Sequence, residues 1–119
     1  MIWACRSAPD DCPPSSGFNH VCGQTRPEDL ARIPGTRWII ASGFSEGAGL
    51  KLVDTADYSL RSAYVGASTD VRPDADRFSD CASPPDPQLL NVQGLNLRAD
   101  SDGRYTLYAV NHGGRESVE

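Results

Sequence analysis

The sequence has little clustered positive charge and no long apolar run. Its 119 residues hold 16 acidic residues against 11 lysines and arginines, of which only Lys51 is a lysine, and the net charge is -5. This balance argues against nucleic acid or an anionic membrane as the main partner. No apolar run is long enough to predict a transmembrane segment. Residues 1–5 lack the basic and apolar regions of a secretory signal, so either the protein stays inside the cell or a signal-bearing start is absent.

The four cysteines are Cys5, Cys12, Cys22 and Cys81. They form no C-x-x-C pair, and His20 is the only nearby histidine, so a zinc site is disfavoured. Four cysteines allow three pairings, among which the sequence does not choose. Three of them lie among prolines, serines and aspartates, which is typical of a disulfide-stapled segment in an exported protein and favours an extracellular or periplasmic location. Free buried thiols are the alternative.

Two adjacent carboxylates, Glu28 and Asp29, follow a proline and precede an apolar run. Pro27 fixes its own φ and is expected to hold Arg26 in an extended conformation. Neighbouring side chains in an extended segment point to opposite faces, so the two carboxylates would each serve a different ion. Hard oxygen ligands of this kind suit calcium. The alternative from the residues alone is a solvated turn before a strand.

Short strands separated by glycine and proline turns predict an all-β fold. Residues 1–25 form an irregular segment rich in cysteine and proline, and about 67–90 form a long loop. The predicted strands are Leu30–Ile33, Arg37–Gly43, Ala48–Asp54, one within Tyr58–Val65, Gly94–Arg98, Tyr105–Asn111, and the start of one in Arg115–Glu119.

The two halves share one layout of short strand, turn, aromatic-aliphatic strand, glycine turn and strand. Such a repeat predicts a β-propeller, whose blades are about 40–45 residues long. The first blade would cover about 26–66, and a second would begin at about 91 and run to 119. Propellers need about four or more blades to close, so we expect the N-terminal part of a longer chain. Two blades leave unpaired sheet edges, which predicts self-association or poor solubility of the isolated chain.

Three segments in order resemble the paraoxonase/arylesterase branch of the SMP-30/gluconolactonase-like six-bladed propellers. They are Pro27-Glu28-Asp29-Leu30 with the following Trp38–Gly43, then Gln93-Gly94-Leu95, and then Leu107–His112. In that family the Glu-Asp pair binds two calcium ions. The resemblance therefore implies that Glu28 binds a catalytic calcium and that Asp29 binds a second, structural calcium. It also implies that Cys22 or a neighbour pairs with a cysteine near the C-terminus.

The resemblance implies a calcium-dependent hydrolase of esters or lactones. The family's pair of catalytic histidines matches Gln93 and His112 here. Glutamine cannot gain and lose a proton near neutral pH, so Gln93 cannot be a general base, whereas His112 suits proton transfer. The replacement at Gln93 favours the alternative of a non-catalytic propeller that binds a ligand or protein partner. A small disulfide-stapled domain unrelated to propellers is a third alternative, which leaves the repeat unexplained.

Overall fold

The computed structural model describes residues 13–66 and 71–119. These residues form seven β-strands in two antiparallel sheets, together with one short 3-10 helix at Ser79–Cys81. The prediction of an all-β chain is therefore confirmed. Within the described ranges, no helix is long and apolar enough to cross a membrane.

Each sheet follows the order of its strands along the chain. The first sheet contains β1 (Pro27–Arg32), β2 (Trp38–Gly43), β3 (Leu50–Asp54) and β4 (Leu60–Ser62). The second contains β5 (Val92–Ala99), β6 (Tyr105–Asn111) and β7 (Ser117–Val118). The predicted strand at Tyr105–Asn111 has the observed bounds, and the other predicted strands overlap the observed ones.

The expectation that Arg26 is extended is wrong. Arg26 has a φ of 46°, in the left-handed region, although a proline follows it. Its carbonyl accepts a hydrogen bond from the N–H of Phe44 at 2.9 Å, which ties the start of β1 to the end of β2. β1 also begins at Pro27, earlier than the predicted Leu30, because Pro27 pairs with Gly43 across a bulge. Tertiary hydrogen bonding thus overrides the local preference of the residue before proline.

The first two strands of each sheet pair with each other, and the register of this pairing is the same in both sheets. In β1, Pro27 pairs with Gly43 and Leu30 pairs with Ala41, with a bulge between them. In β5, Val92 pairs with Asn111 and Leu95 pairs with Ala109, again with a bulge between them. Each bulge lets the strand bend where the sheet begins. The matching registers define structural counterparts in the two sheets. These are Pro27/Val92, Glu28/Gln93, Leu30/Leu95, Ala41/Ala109 and Gly43/Asn111.

The second sheet packs on one face of the first. Leu90, Val92 and Ala109 form a buried cluster, and Leu50 of β3 packs against it. The N–H of Gly49 also donates to the carbonyl of Leu90 at 3.2 Å. β5 lies beside β1, the edge strand of the first sheet. This buried cluster therefore lies where the two sheets meet.

The described part of the chain limits the possible cysteine pairings. Cys81, at the end of the 3-10 helix, is a half-buried free thiol, so pairings that use Cys81 are not present. Cys5 and Cys12 lie outside the described residues. Cys22 is disulfide-bonded, which supports the prediction of a disulfide in the N-terminal segment.

Candidate functional site

The two residues matched to the family's catalytic histidines lie in contact. His112 follows β6, and its N–H donates to the carbonyl of Asn91 at 2.9 Å. Gln93 lies in the bulge of β5, and its Oε1 is 3.0 Å from Nε2 of His112. The common register carries both residues to one end of the second sheet, where β5 begins and β6 ends.

A carboxylate missed in the sequence analysis as a functional group completes this array. Oε2 of Glu116 is 2.6 Å from Nδ1 of His112. The turn between His112 and Glu116 is held by Asn111, whose side chain is fully buried. Its Oδ1 accepts the N–H groups of Asn91 and Gly113, and its Nδ2 donates to the carbonyls of Gly113 and Arg115. The array of Gln93, His112 and Glu116 is hereafter the histidine array.

Hydrogen bonding in the histidine array is compatible with two protonation states. With Oε1 of Gln93 on Nε2, both ring nitrogens face oxygen acceptors, which an imidazolium satisfies by donating to both. If the Gln93 amide is rotated so that its NH₂ donates, a neutral ring with its proton on Nδ1 fits equally well. Nδ1 stays hydrogen-bonded to Glu116 in both arrangements.

An aromatic ring from the first sheet supports the imidazole. Phe44 and His112 meet edge to face, with ring centroids 5.9 Å apart and an interplanar angle of 79°. Phe44 follows Gly43 as His112 follows Asn111, so the two rings are structural counterparts. The contact brings the corresponding ends of both sheets together and limits rotation of the His112 ring.

Asp29 binds main-chain groups of both sheets. Its Oδ1 accepts the N–H of Leu30, and its Oδ2 accepts the N–H of Leu95, both at 2.8 Å. Fully buried Ser42 adds a second link, because its Oγ accepts the N–H of Asp29 at 3.0 Å and donates to the carbonyl of Gln93 at 2.6 Å. These bonds position the Gln93 bulge against the first sheet.

Glu28 is the counterpart of Gln93 in the first sheet. Its side chain is exposed and takes part in no hydrogen bond or ion pair within residues 13–66 and 71–119. Over the same ranges, no group of three histidine, cysteine or acidic residues could hold a metal ion. Glu28 thus offers one free carboxylate at the beginning of β1, while the oxygens of neighbouring Asp29 are already engaged.

A second polar cluster lies around β7, at Arg115, Ser117 and Glu119. Arg115 donates to both oxygens of Glu119, at 2.8 and 2.9 Å, and Ser117 donates to the same carboxylate at 2.6 Å. Burial tends to raise the pKa of Glu119, but the hydrogen bonds from Arg115 and Ser117 outweigh it and bring the pKa below its ordinary value. Glu119 borders a hollow of about 250 Å³ between the sheets, which Tyr64 also lines.

Comparison with protein-family models, with curated proteins and with solved structures finds no match.

Proposed function

We propose that the two sheets are neighbouring blades of a six-bladed β-propeller in which β1 and β5 are the inner strands. Three features support this arrangement: the common register, the bulge at the same place in each first strand, and the contact between β1 and β5. Inner strands that begin with a bulge carry their polar side chains to one end of the sheets. The site at that end is then a channel mouth.

We propose that this end belongs to a hydrolase of esters or lactones. The observation that carries the proposal is the bond between Nδ1 of His112 and Glu116, which leaves Nε2 directed at the Gln93 side chain. Glu116 fixes the ring and stabilises its positive charge, and Nε2 exchanges a proton with a water molecule that displaces the Gln93 amide. A positioned histidine of this kind contributes about 10²–10⁴-fold to a reaction rate.

The free carboxylate of Glu28 fits one ligand position of a calcium ion. Calcium takes about 6–8 oxygens, so the other ligands must come from elsewhere in the complete protein. When bound, calcium would polarise the substrate carbonyl and stabilise the oxyanion. Both Asp29 oxygens accept main-chain N–H groups, and these bonds support a role in joining the sheets without any ion. A second calcium at Asp29 stays a prediction.

One observation favours the alternative, a propeller that binds a ligand or protein partner without turnover. The Gln93 side chain is hydrogen-bonded to Nε2 of His112, the nitrogen that would take a proton from water. Because the amide does not titrate, it can hold His112 as a fixed hydrogen-bonding group. The same array would then recognise a polar group of a ligand and leave it unchanged.

The test uses the complete protein with aryl esters and lactones as substrates. We expect hydrolysis that is lost with a calcium chelator, and we expect Glu28→Gln and His112→Gln each to abolish it while the circular dichroism spectrum is kept. Asp76→Asn is the matched control, because Asp76 is an exposed carboxylate in the loop between β4 and β5. Unchanged calcium affinity and hydrolysis in Glu28→Gln would remove the metal assignment. Absent hydrolysis in the wild-type protein would favour the binding alternative.

A further inference from the structure

The contact between the two sheets joins unlike faces. On the second sheet the buried face carries Leu95, Leu107 and Ala109, because paired and alternate residues share a face. On the first sheet the buried face carries Ser42 and Leu50, which also pair with each other. In each sheet, we call face A the face that carries Leu95 or its counterpart Leu30. We call face B the opposite face, which carries Leu50 or its counterpart Val118. Face A of the second sheet thus packs on face B of the first.

Among the described residues, no sheet packs on face A of the first sheet, although Ala41 and Val53 on that face are buried and Val21 and Gln24 lie against it. Its Leu30, the counterpart of core residue Leu95, is 64% exposed. Around it is a hollow of about 260 Å³. The hollow is lined by Val21, Gln24, Pro27, Leu30, Ile39, Ala41 and Val53. The hollow of about 250 Å³ between the two sheets includes Leu107 and Ala109, the counterparts of Ile39 and Ala41.

Face B of the second sheet is also open. Val110 pairs with Val118 as Ser42 pairs with Leu50, so Val118 is the counterpart of core residue Leu50. Val118 is 64% exposed, and Val110 and Tyr108 are exposed beside it. In the first sheet the matching positions are less exposed: Ile40, the counterpart of Tyr108, and Ser42 are buried, and Leu50 is half-buried. Within residues 13–66 and 71–119, the chain therefore presents a face A at one end and a face B at the other, neither of them packed against a further sheet.

We propose that a second copy of this chain docks head to tail, with its face B on the open face A of the first copy. The argument is continuity with the packing inside the chain, because the same two kinds of face already pack together once. Such a contact is heterologous, so repetition closes a ring if the rotation permits or extends a filament if it does not. The inference rests on the observed packing of the sheets and not on the hydrolase proposal.

Sedimentation of the 119-residue chain and of two single variants tests this docking. Leu30→Glu places a charge on open face A, and Val110→Glu places one on open face B. We expect the wild-type chain to form assemblies whose mass rises with concentration, and each variant alone to be monomeric. Phe18→Glu is the matched control, since Phe18 is 69% exposed but does not line the hollow, and it should associate like the wild type.

Mixing the two variants gives the decisive result. Leu30→Glu keeps an intact face B and Val110→Glu keeps an intact face A, so the mixture should form a discrete 1:1 dimer that neither variant forms alone. A symmetric contact between like faces, or nonspecific aggregation, would not give this rescue. A monomeric mixture, or a wild-type chain that stays monomeric at high concentration, would overturn the proposal and would leave other sheets of a longer polypeptide as the occupants. If a glutamate variant loses its strand spectrum, Leu30→Gln and Val110→Thr replace the pair.

Discussion

Asp29 and Leu95 are hydrogen-bonded across the two sheets, with the carboxylate Oδ2 accepting the main-chain N–H at 2.8 Å. The other oxygen of Asp29 caps Leu30 of its own strand. One side chain therefore fixes the bulge of β1 and aligns the beginning of β5. Ser42 provides a second link at the same junction, through Asp29 and Gln93.

We predict that Asp29→Asn destabilises the contact between the sheets. An amide keeps the size of the side chain but places an NH₂ against one of the two N–H donors, and a hydrogen bond to a charged group is worth about 1.5–3 kcal/mol. We expect a loss of this size in the free energy of unfolding, measured by urea denaturation in calcium-free buffer. Asp76→Asn, an exposed carboxylate, should change it little.

Calcium separates the two accounts of Asp29. If the hydrogen bonds alone account for its role, the loss is the same with and without calcium. If Asp29 also binds a structural ion, calcium raises the stability of the wild-type protein and does not raise that of Asp29→Asn. An Asp29→Asn protein as stable as the wild type under both conditions would contradict both accounts.

The strands were predictable because their residues carry local signals. Tyr105–Asn111 consists of strong β-formers between a polar turn and a glycine turn, and its bounds were predicted correctly. The conformation of Arg26 was not predicted correctly. Its left-handed φ accompanies a hydrogen bond to Phe44, a residue far along the sequence that local rules do not consider. Leu30, on face A of the first sheet, looks like an ordinary core position in sequence. Only the structure shows that Leu30 is exposed, whereas its counterpart Leu95 packs against the buried cluster.

The site was predictable in part. The resemblance pointed to Gln93 and His112, and the structure brings these two together. The role of Glu116 was missed, although its spacing of four residues from His112 across a glycine turn is a usable signal. Ser42 and Phe44 carried no signal, because their partners lie on the other sheet and only the tertiary fold brings them into contact.

We predict that Asn111→Asp strongly destabilises the turn that carries His112. Asn111 is fully buried, and its Nδ2 donates to the carbonyls of Gly113 and Arg115. A carboxylate of the same shape would face both carbonyl oxygens without a proton to share. We expect a loss of about 3 kcal/mol in the free energy of unfolding. Asn96→Asp, at an exposed position of β5, is the matched control and should be nearly neutral.

We predict opposite effects on turnover from the two partners of His112. Glu116→Gln removes the negative charge beside Nδ1 of His112 and, on the hydrolase proposal, should lower kcat by about tenfold or more. Gln93→His supplies a second group able to exchange a proton and should raise kcat. Both are measured on the complete protein with aryl ester and lactone substrates. If neither substitution alters kcat while both alter ligand affinity, the array takes part in binding and not in the chemical step.

The last prediction concerns the pH dependence of stability at Glu119. Its pKa is lowered because the hydrogen bonds from Arg115 and Ser117 outweigh the effect of burial. A free glutamate has a pKa of about 4.3, so the lowered folded-state pKa stabilises the protein above that pH. This contribution is lost as the pH falls through the lower pKa of the folded state.

Glu119→Gln should therefore be less stable than the wild type at pH 7, and the difference should shrink on acidification below a pH of about 4.3. Urea denaturation across this range measures it. Glu46→Gln, at an exposed carboxylate, is the matched control and should follow the wild type throughout. Arg115→Gln should show the same pH dependence as Glu119→Gln, because the two side chains form one bidentate pair. A stability difference that stays constant from pH 7 to pH 3 would show that Glu119 acts by packing and not by its charge.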